Sequence, residues 1–395
     1  MQVTRPHFSR RRCHHALLST RNAPDEVEDP ACGYLPEQYM NAENTVDLPH
    51  HQTRRWSRRS IGVGVLALAA LIAAGGIRFA LYPQLSKLPD DFETSMSMDG
   101  AMESLVPATM TLGKPEPARV ERGLAVDAVH GDTAVLHATT RIQRPDGELK
   151  TEFRYAIDRA TFRQKAAPGG VDVTNQRGGV VLARSIGSDR SPFAMYDPLI
   201  DRTVRLEHVA DRDMKGRSSF EFKGLLDAPI VNSAVLAPVR TAIAKMATVG
   251  DGTTMPLLAV QAIAPRLPLE YRDQVQRILP ELPNEVMLSY VSHTVYTVVL
   301  DEQLSVPLFL AQDQTTLLAI NTGYSTIPML PLTRLSVQTT PDSISDVVDT
   351  ASALGRTVTI SRDVIPVSLA VIGATILACI VLASRIRRRR QRNPA

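Results

Sequence analysis

The stretch RRWSRRSIGVGVLALAALIAAGGIRFALYP, residues 54–83, joins an arginine-rich start to a long apolar run. Residues 61–77 are 17 consecutive uncharged residues, which span about 25 Å as a helix. Extending the helix through Arg78 to Tyr82 brings its length to the ~30 Å of a hydrocarbon core and places Tyr82 at headgroup level, just before Pro83. Residues 61–82 are therefore predicted to form a first transmembrane helix.

Two other interpretations of this run stay open at the level of sequence. Ala73, Ala74 and Gly75 resemble the cleavage region of an export leader, although a leader has a much shorter segment before its apolar run. A buried core helix would bring the flanking arginines close to an apolar interior. An uncleaved membrane anchor accounts for both flanks.

A second apolar run covers residues 364–384 and has 21 uncharged residues. Pro366 falls in its predicted first turn, where a missing N–H is harmless. The run is followed by Arg385, Arg387, Arg388, Arg389, Arg390 and Arg392, and the first run is preceded by Arg54, Arg55, Arg58 and Arg59. Because arginine clusters favour the cytoplasmic face, we expect both termini in the cytoplasm and residues 83–363 outside, with the helices in the inner membrane.

The charge distribution argues against a nucleic-acid partner. Residues 79–363 contain 28 basic and 34 acidic residues, so the excess of basic charge lies at the termini beside the apolar runs. The 37 arginines against 7 lysines are typical of a high-GC genome such as that of an actinobacterium. Cys13, Cys32 and Cys379 are the only cysteines, which excludes a disulfide framework in the central region.

The terminal segments show no sustained periodicity. Residues 1–60 are rich in Pro, Asn and mixed charges and are predicted to be a disordered cytoplasmic tail, and residues 385–395 a basic cytoplasmic tail. A start codon assigned too far upstream would produce the same N-terminal tail. Its histidines and cysteines lack the spacing of a zinc site, so no metal is predicted.

The region between the runs reads as a β-rich α+β domain. Residues 119–157 contain three alternating runs separated by His130-Gly131-Asp132 and Pro145-Asp146-Gly147, which predicts a three-stranded antiparallel meander. Further strands are predicted at 180–184, 204–209, 218–222, 286–300, 305–311, 315–320 and 335–339. Helical spacing predicts helices over 235–246, 269–279 and 342–355, the last ending at Gly355.

No catalytic signature is present. The sequence lacks G-x-S-x-G, Walker A, G-x-G-x-x-G and H-E-x-x-H motifs. The segment VGDGTTMP from Val249 is read as an anion cradle or as a plain loop, and Asp197 before Pro198 as a functional or a turn-forming residue. We therefore expect neither enzymatic activity nor a cofactor.

Residues 191–224 and the layout of two apolar runs resemble the actinobacterial porin PorA family. The family's Y-P-x-L junction corresponds to Tyr82-Pro83-Gln84-Leu85, and its aromatic motif to Phe193, Tyr196 and Asp197, without the leading Phe-Pro and the Trp. A second motif corresponds to Met214, Gly216, Phe220 and Phe222.

The resemblance implies an envelope protein and, by the family's label, a pore. A barrel in an outer membrane needs apolar lipid-facing strands with aromatic girdles, whereas this region is acidic and poor in aromatics. The layout is also similar to that of two-anchor lipid receptors whose external domain encloses a hydrophobic tunnel. We therefore expect a protein that binds or transfers lipid, or assists envelope assembly, with membrane lipids and other envelope proteins as partners. The alternatives are a pore-forming protein and a non-catalytic scaffold or sensor.

Overall fold

A computed structural model describes residues 58–144, 147–181, 184, 186–187, 189–247 and 252–392. The helices are α1 Arg58–Gly76, α2 Tyr82–Leu85, α3 Ser233–Ala247, α4 Leu257–Ile263, α5 Leu269–Ile278, α6 Pro341–Thr359 and α7 Ile365–Arg392. The strands are β1 Glu93–Val106, β2 Thr111–Leu112, β3 Glu116–His130, β4 Thr133–Arg144, β5 Gly147–Asp158, β6 Phe193–Asp197, β7 Arg202–Met214, β8 Arg217–Pro229, β9 Thr254–Pro256, β10 Glu285–Asp301, β11 Pro307–Asn321 and β12 Thr326–Thr339. The predicted α+β class is confirmed.

The strands form one antiparallel sheet. Its order is β5-β4-β3-β1-β12-β11-β10-β8-β7-β6, with β2 pairing with β1 and β9 with β10. The predicted meander corresponds to β3, β4 and β5, and Gly131 turns the first hairpin with a positive φ of 61°. The middle of the predicted second turn, residues 145–146, lies outside the described residues, as does the tail up to residue 57.

The sheet curls until its two edge strands approach each other. The segment after β5 pairs back onto it, with Thr174 N–H donating to the Arg154 carbonyl at 2.7 Å, and Val180 then pairs with Met195 of β6. The ring centroids of Tyr155 on β5 and Tyr196 on β6 are 6.1 Å apart. Side chains on the inner face therefore pack against each other across the curl.

Several predicted elements differ from the structure. In the strand predicted at 180–184, Val180 forms a bridge with Met195, and residues 182–183 lie outside the described residues. The two strands predicted at 305–311 and 315–320 form one continuous strand, β11. Strand β1 was not predicted, because its sequence ETSMSMDGAMESLV shows no run of branched or aromatic residues.

The helix predicted to end at Gly355 continues to Arg392. Helix α6 passes through the π-helical segment Ile360–Val364 directly into α7. Gly355 stays helical, and its missing side chain lets other groups approach: a Cβ there would lie 2.7 Å from Gln303 Oε1 and 3.2 Å from Arg217 Nη2. The glycine marks a close contact rather than the end of the helix.

Two helices, Gly62–Gln84 and Pro341–Arg389, are long and apolar enough to cross a membrane. Helices α1 and α7 pack as an antiparallel pair through small residues. Ala67 is fully buried, and a Cβ on Gly373 would lie 2.9 Å from the Ala67 carbonyl oxygen and 3.0 Å from Leu71. Glycine at this position lets the two backbones approach closely.

Replacing Gly373 with isoleucine should push the two helices apart. Overpacking of a close contact costs about 1–3 kcal/mol, so we expect a lower midpoint of thermal unfolding for the full chain in detergent. Gly75→Ile is the matched control, because no atom lies within 4 Å of a Cβ at Gly75. Equal midpoints for the two variants would contradict this packing.

Candidate functional site

The inner face of the sheet carries three apolar clusters, one of them around Tyr155 and Tyr196, and polar residues separate the other two along β11. Strand β11 shows the pattern, because alternate residues point inward. Leu310 belongs to a first core with Phe222 and Val298, whereas Leu318 belongs to a second core. The second core is covered by α3, α4 and α5, through residues that include Leu236, Ile243, Val260 and Val275.

The polar residues between these cores form a hydrogen-bonded chain, here called the polar belt. Arg122 of β3 donates to Gln312 Oε1 at 2.5 Å, and Gln312 donates to Gln314 at 2.8 Å. Gln314 donates to Ser292 at 3.0 Å, and the hydroxyls of Ser292 and Thr294 lie 2.9 Å apart. Ser292 and Thr294 are fully buried, and their mutual bonding offsets the cost of burying polar groups.

Asp197 joins the loop after β6 to the inner face. Its carboxylate accepts a 2.8 Å hydrogen bond from the Leu199 N–H and a 2.5 Å hydrogen bond from the Tyr296 hydroxyl of β10. Burial and the nearby Asp197 charge raise the pKa of Tyr296 well above its usual value, so this hydroxyl stays a donor. The hydrogen bond from the Leu199 N–H gives Asp197 the turn-forming role, which is one of its two interpretations. The sequence did not indicate the additional hydrogen bond from Tyr296.

Tyr196 points to a different acid. Its hydroxyl donates to Asp201 at 2.9 Å, and Arg177 holds the same carboxylate with two bonds of 2.8 and 2.5 Å. The hydrogen bond from Arg177 lowers the pKa of Asp201, while burial raises the pKa of Tyr196. These groups fix the loop that follows β6.

The structure brings the three motif phenylalanines together with His208, in what we call the aromatic cluster of Phe193, His208, Phe220 and Phe222. The rings of Phe193 and Phe222 are 5.1 Å apart, edge to face. Arg184 lies over Phe193 at 5.0 Å and Arg190 over Phe220 at 4.8 Å. The motif residue Gly216 lies apart, in the β7–β8 turn, where its φ of 82° favours glycine.

Asp211 holds Arg190 over the aromatic cluster. Arg190 donates two hydrogen bonds to the carboxylate, at 2.9 and 2.7 Å, and His208 lies 3.0 Å from it. The hydrogen bond from Arg190, aided by His208, lowers the pKa of Asp211 to about 2.

The lowered pKa predicts a pH dependence of stability. The unfolded carboxyl has a pKa near 3.8, so the stabilisation from Asp211 is complete above about pH 4 and is lost as the pH falls towards 2. We expect the stability difference between the native chain and Asp211→Asn to shrink over this window in urea unfolding. Asp99→Asn, which removes a carboxylate 3.9 Å from Arg119, is the control. A difference that stays constant from pH 5 to 2 would contradict the assignment.

The two long helices are joined near the sheet domain by what we call the latch. Arg78 donates to the Arg362 carbonyl oxygen at 2.6 Å and to the Asp363 carboxylate at 2.8 Å. Pro366 lacks the N–H that would otherwise bond the carbonyl four residues earlier, so the Arg362 oxygen is available to Arg78. Both sides of the latch lie in π-helical segments, Ile77–Leu81 and Ile360–Val364, which are frequent at functional positions.

The junction motif lies beside this latch. Tyr82 begins α2, and the Arg362 guanidinium carbon is 6.0 Å from its ring centroid. Pro83 lies near the end of this continuous helix, whose last residues are Tyr82–Leu85, and a proline close to a helix end favours its termination. The aromatic ring and two arginines therefore meet where the helix pair joins the sheet domain.

Helix α6 contacts the sheet at what we call the dock, where an ion pair between β8 and β10 lies beside the helix and Arg217 also donates to the Ser352 hydroxyl of α6 at 3.4 Å. Arg217 donates to Asp301 at 2.6 Å, and the Asp301 side chain is only 1% exposed. Gln303 donates to the Gly355 carbonyl at 3.0 Å and to the Thr359 hydroxyl at 2.8 Å. The dock and the latch together connect one continuous helix to both the sheet and the first helix.

The arginines predicted to orient the helices lie at helix ends. Arg58 and Arg59 begin α1, and α7 carries Arg385, Arg387, Arg388, Arg389 and Arg390. Arg54 and Arg55 lie outside the described residues. The segment containing VGDGTTMP is described only from Gly252 onward, and no anion contact is assigned to it.

Two cavities among the described residues bear on the predicted tunnel. The enclosed apolar cavity beside Leu88, Leu136 and Ile157 has a volume of about 10 Å³, room for about one water molecule. A second hollow of about 440 Å³, at Asp273, Gln276 and Arg277, is an open polar surface feature. Neither accommodates an acyl chain.

Comparison with solved structures gives weak similarities. A putative thioesterase II from Thermobifida fusca is 11% identical over 62% of this chain and 78% of that chain, with a TM-score of 0.11. A MaoC-like dehydratase from Phytophthora capsici is 8% identical over 65% and 72%, with a TM-score of 0.13. A conserved hypothetical protein from Mycobacterium tuberculosis with a double hotdog fold is 11% identical over 68% and 80%, with a TM-score of 0.12. These scores are too low to support an argument.

Comparison with known families gives a clear result. No curated protein matches the chain. The family model described as Porin PorA matches residues 60–382, which begin inside α1 and end inside α7. The resemblance read from the motifs is thus confirmed. Since the match includes most of both apolar helices and the whole sheet between them, this chain belongs to the porin PorA family.

Proposed function

We propose that this chain is a non-catalytic membrane protein of the cell envelope, anchored in the inner membrane by two helices. In this proposal both termini are cytoplasmic, and residues 83–363 lie outside and contact envelope lipid or assist envelope assembly. The observation that supports it best is the continuous helix from Pro341 to Arg392, which carries both the dock and the latch. Such a helix holds the sheet domain at a fixed place on the membrane surface.

Lipid contact is proposed at the surface rather than in a tunnel. The apolar cavity of about 10 Å³ gives no room for an acyl chain. In this proposal the latch residues Arg78, Arg362 and Tyr82 lie at headgroup level, where aromatic and basic side chains are favoured. Membrane lipids and other envelope proteins are the proposed partners, and nucleic acid is not. Lipid retained by the full chain after purification, identified by mass spectrometry, tests this part. If the purified chain retains no phospholipid, the lipid role is ruled out and a role in envelope assembly is the part of the proposal that stands.

The orientation can be tested with single cysteines, because residues 33–378 contain none. The native cysteines are first removed by Cys13→Ser, Cys32→Ser and Cys379→Ser. A single cysteine then replaces Tyr324, which is fully exposed in the β11–β12 hairpin. This cysteine should react with a membrane-impermeant maleimide on intact cells. Native Cys13, retained alone, should react only after lysis. Labelling of Cys13 but not position 324 on intact cells would overturn the topology.

Pore formation is the second candidate and is favoured by the family match. The inner face is filled by the two apolar cores and the polar belt, so a conducting state would have to open this packing or use several copies. Planar-bilayer recordings separate the candidates. Stepwise conductance that disappears in a variant lacking residues 93–339 supports the pore, and a silent bilayer supports the lipid or assembly role.

A further inference from the structure

The inner ends of the helix pair carry many arginines. Helix α7 stays helical to Arg392, about two turns beyond Ser384. The side chains of Arg385, Arg387, Arg388 and Arg389 are exposed. These arginines therefore extend from a rigid helix that continues directly from the apolar span.

The pairing of the helices brings the start of α1 to the same level. The Arg78–Asp363 bond and the contact of Gly373 with Ala67 fix the antiparallel register. At 1.5 Å per residue, Arg59 lies roughly 29 Å from Arg78, and Arg385 roughly 33 Å from Asp363. These separations match the thickness of a hydrocarbon core. We call this group the basic collar, and its members on the helices are Arg58, Arg59, Arg385, Arg387, Arg388, Arg389, Arg390 and Arg392.

The collar has no acidic residue near it in the sequence. No Asp or Glu occurs between Asp47 and Asp90, or anywhere after Asp363. At the latch, Arg78 and Arg362 share the Asp363 carboxylate, so that level of the helix pair carries far less net positive charge than the collar. A row of exposed arginines at the edge of an apolar span has the charge, and in a bilayer the depth, to meet lipid phosphates.

We propose that the basic collar is a binding site for the phosphate headgroups of anionic phospholipids. It lies at the opposite end of the helix pair from residues 83–363, so it is separate from the function proposed for that domain and requires only that the pair crosses a bilayer. Guanidinium groups bind phosphate oxygens through paired N–H bonds. The apolar helix surface beside the arginines can contact the acyl chains of a lipid. A nucleic acid has no acyl chains and would make no such contact.

The test measures lipid binding to the purified full chain in zwitterionic detergent by native mass spectrometry. We expect phosphatidylglycerol to bind at least tenfold more tightly than phosphatidylcholine. Because each arginine near an anionic surface contributes about a fivefold effect, R385Q/R388Q/R389Q should lose at least tenfold in phosphatidylglycerol affinity. R385K/R388K/R389K should retain most of it, and circular dichroism verifies that both variants fold.

The matched control is R119Q/R141Q/R205Q, which removes three exposed arginines from the sheet domain and should leave the affinity unchanged. Soluble glycerol phosphate at millimolar concentration should compete weakly, because it lacks the acyl chains. Equal affinity for the two lipids, native affinity in the glutamine variant, or full competition by glycerol phosphate would each overturn the proposal. These outcomes are independent of the cysteine labelling that tests the proposed topology.

Discussion

Replacing Arg217 with alanine is expected to lower the free energy of unfolding by about 3–5 kcal/mol. The reason is the Asp301 carboxylate, which is 1% exposed and would lose its cation partner. Its other oxygen accepts the N–H groups of Gln303 and Leu304, so the β10–β11 turn would also be weakened. Urea unfolding of the full chain in detergent, followed by circular dichroism, measures the change.

The control for this variant is Arg205→Ala. Arg205 lies 3.2 Å from Glu207, and both side chains are mostly exposed, at 73% and 64%. Exposed pairs of this kind contribute less than about 1 kcal/mol. If the Arg217 and Arg205 variants lose similar stability, the buried ion pair does not contribute more to the fold than an exposed one. A protease site newly exposed in α6 of the Arg217 variant would support the dock directly.

The second large effect is expected for Phe222→Ala. Phe222 is fully buried between Phe193 and His208, with ring centroids at 5.1 and 5.7 Å. Removing its ring leaves a cavity in the first core, which costs about 3–5 kcal/mol. The same urea unfolding measures the loss.

The control is an aromatic side chain without neighbours. Tyr324 is fully exposed at the tip of the β11–β12 hairpin, so Tyr324→Ala should change stability by less than about 0.5 kcal/mol. Phe222→Leu, which keeps most of the apolar volume, should lose less than the alanine variant. A Phe222→Ala variant as stable as Tyr324→Ala would show that the aromatic cluster does not belong to the core.

These two variants also separate the parts of the molecule. Arg217 belongs to the dock between α6 and the sheet, whereas Phe222 lies inside the sheet domain. A loss of lipid or conductance activity in the Arg217 variant alone would assign function to the connection with the membrane. A loss in the Phe222 variant alone would assign it to the sheet domain.

The predictable parts of the fold were those with local signals. The apolar runs predicted the two long helices. The turn at Gly131, with alternating apolar and polar residues on either side, predicted the strands of the meander. Strand β1 gave no such signal. Its Gly100 is required because a Cβ there would lie 1.9 Å from the Ser336 carbonyl oxygen of β12, a contact between residues far apart in the chain.

The polar belt and the dock were not predictable. Arg122 meets Gln312 across 190 positions, and Arg217 meets Asp301 across 84. Nothing in the sequence near either residue indicates its partner. The motif residues Phe193, Phe220 and Phe222 were found through the family resemblance, and the structure supplied the arginines that cover them.

By itself, the sequence determined where apolar helices form and where charge accumulates, since both depend on neighbouring residues and on the period of the chain. The tertiary structure alone decided that α6 and α7 are one helix, that Gly355 is a contact instead of a terminus, and that a proline leaves a carbonyl for Arg78. Those outcomes depend on groups brought together by folding, whose packing and hydrogen bonds outweigh the local preference of a glycine or a proline.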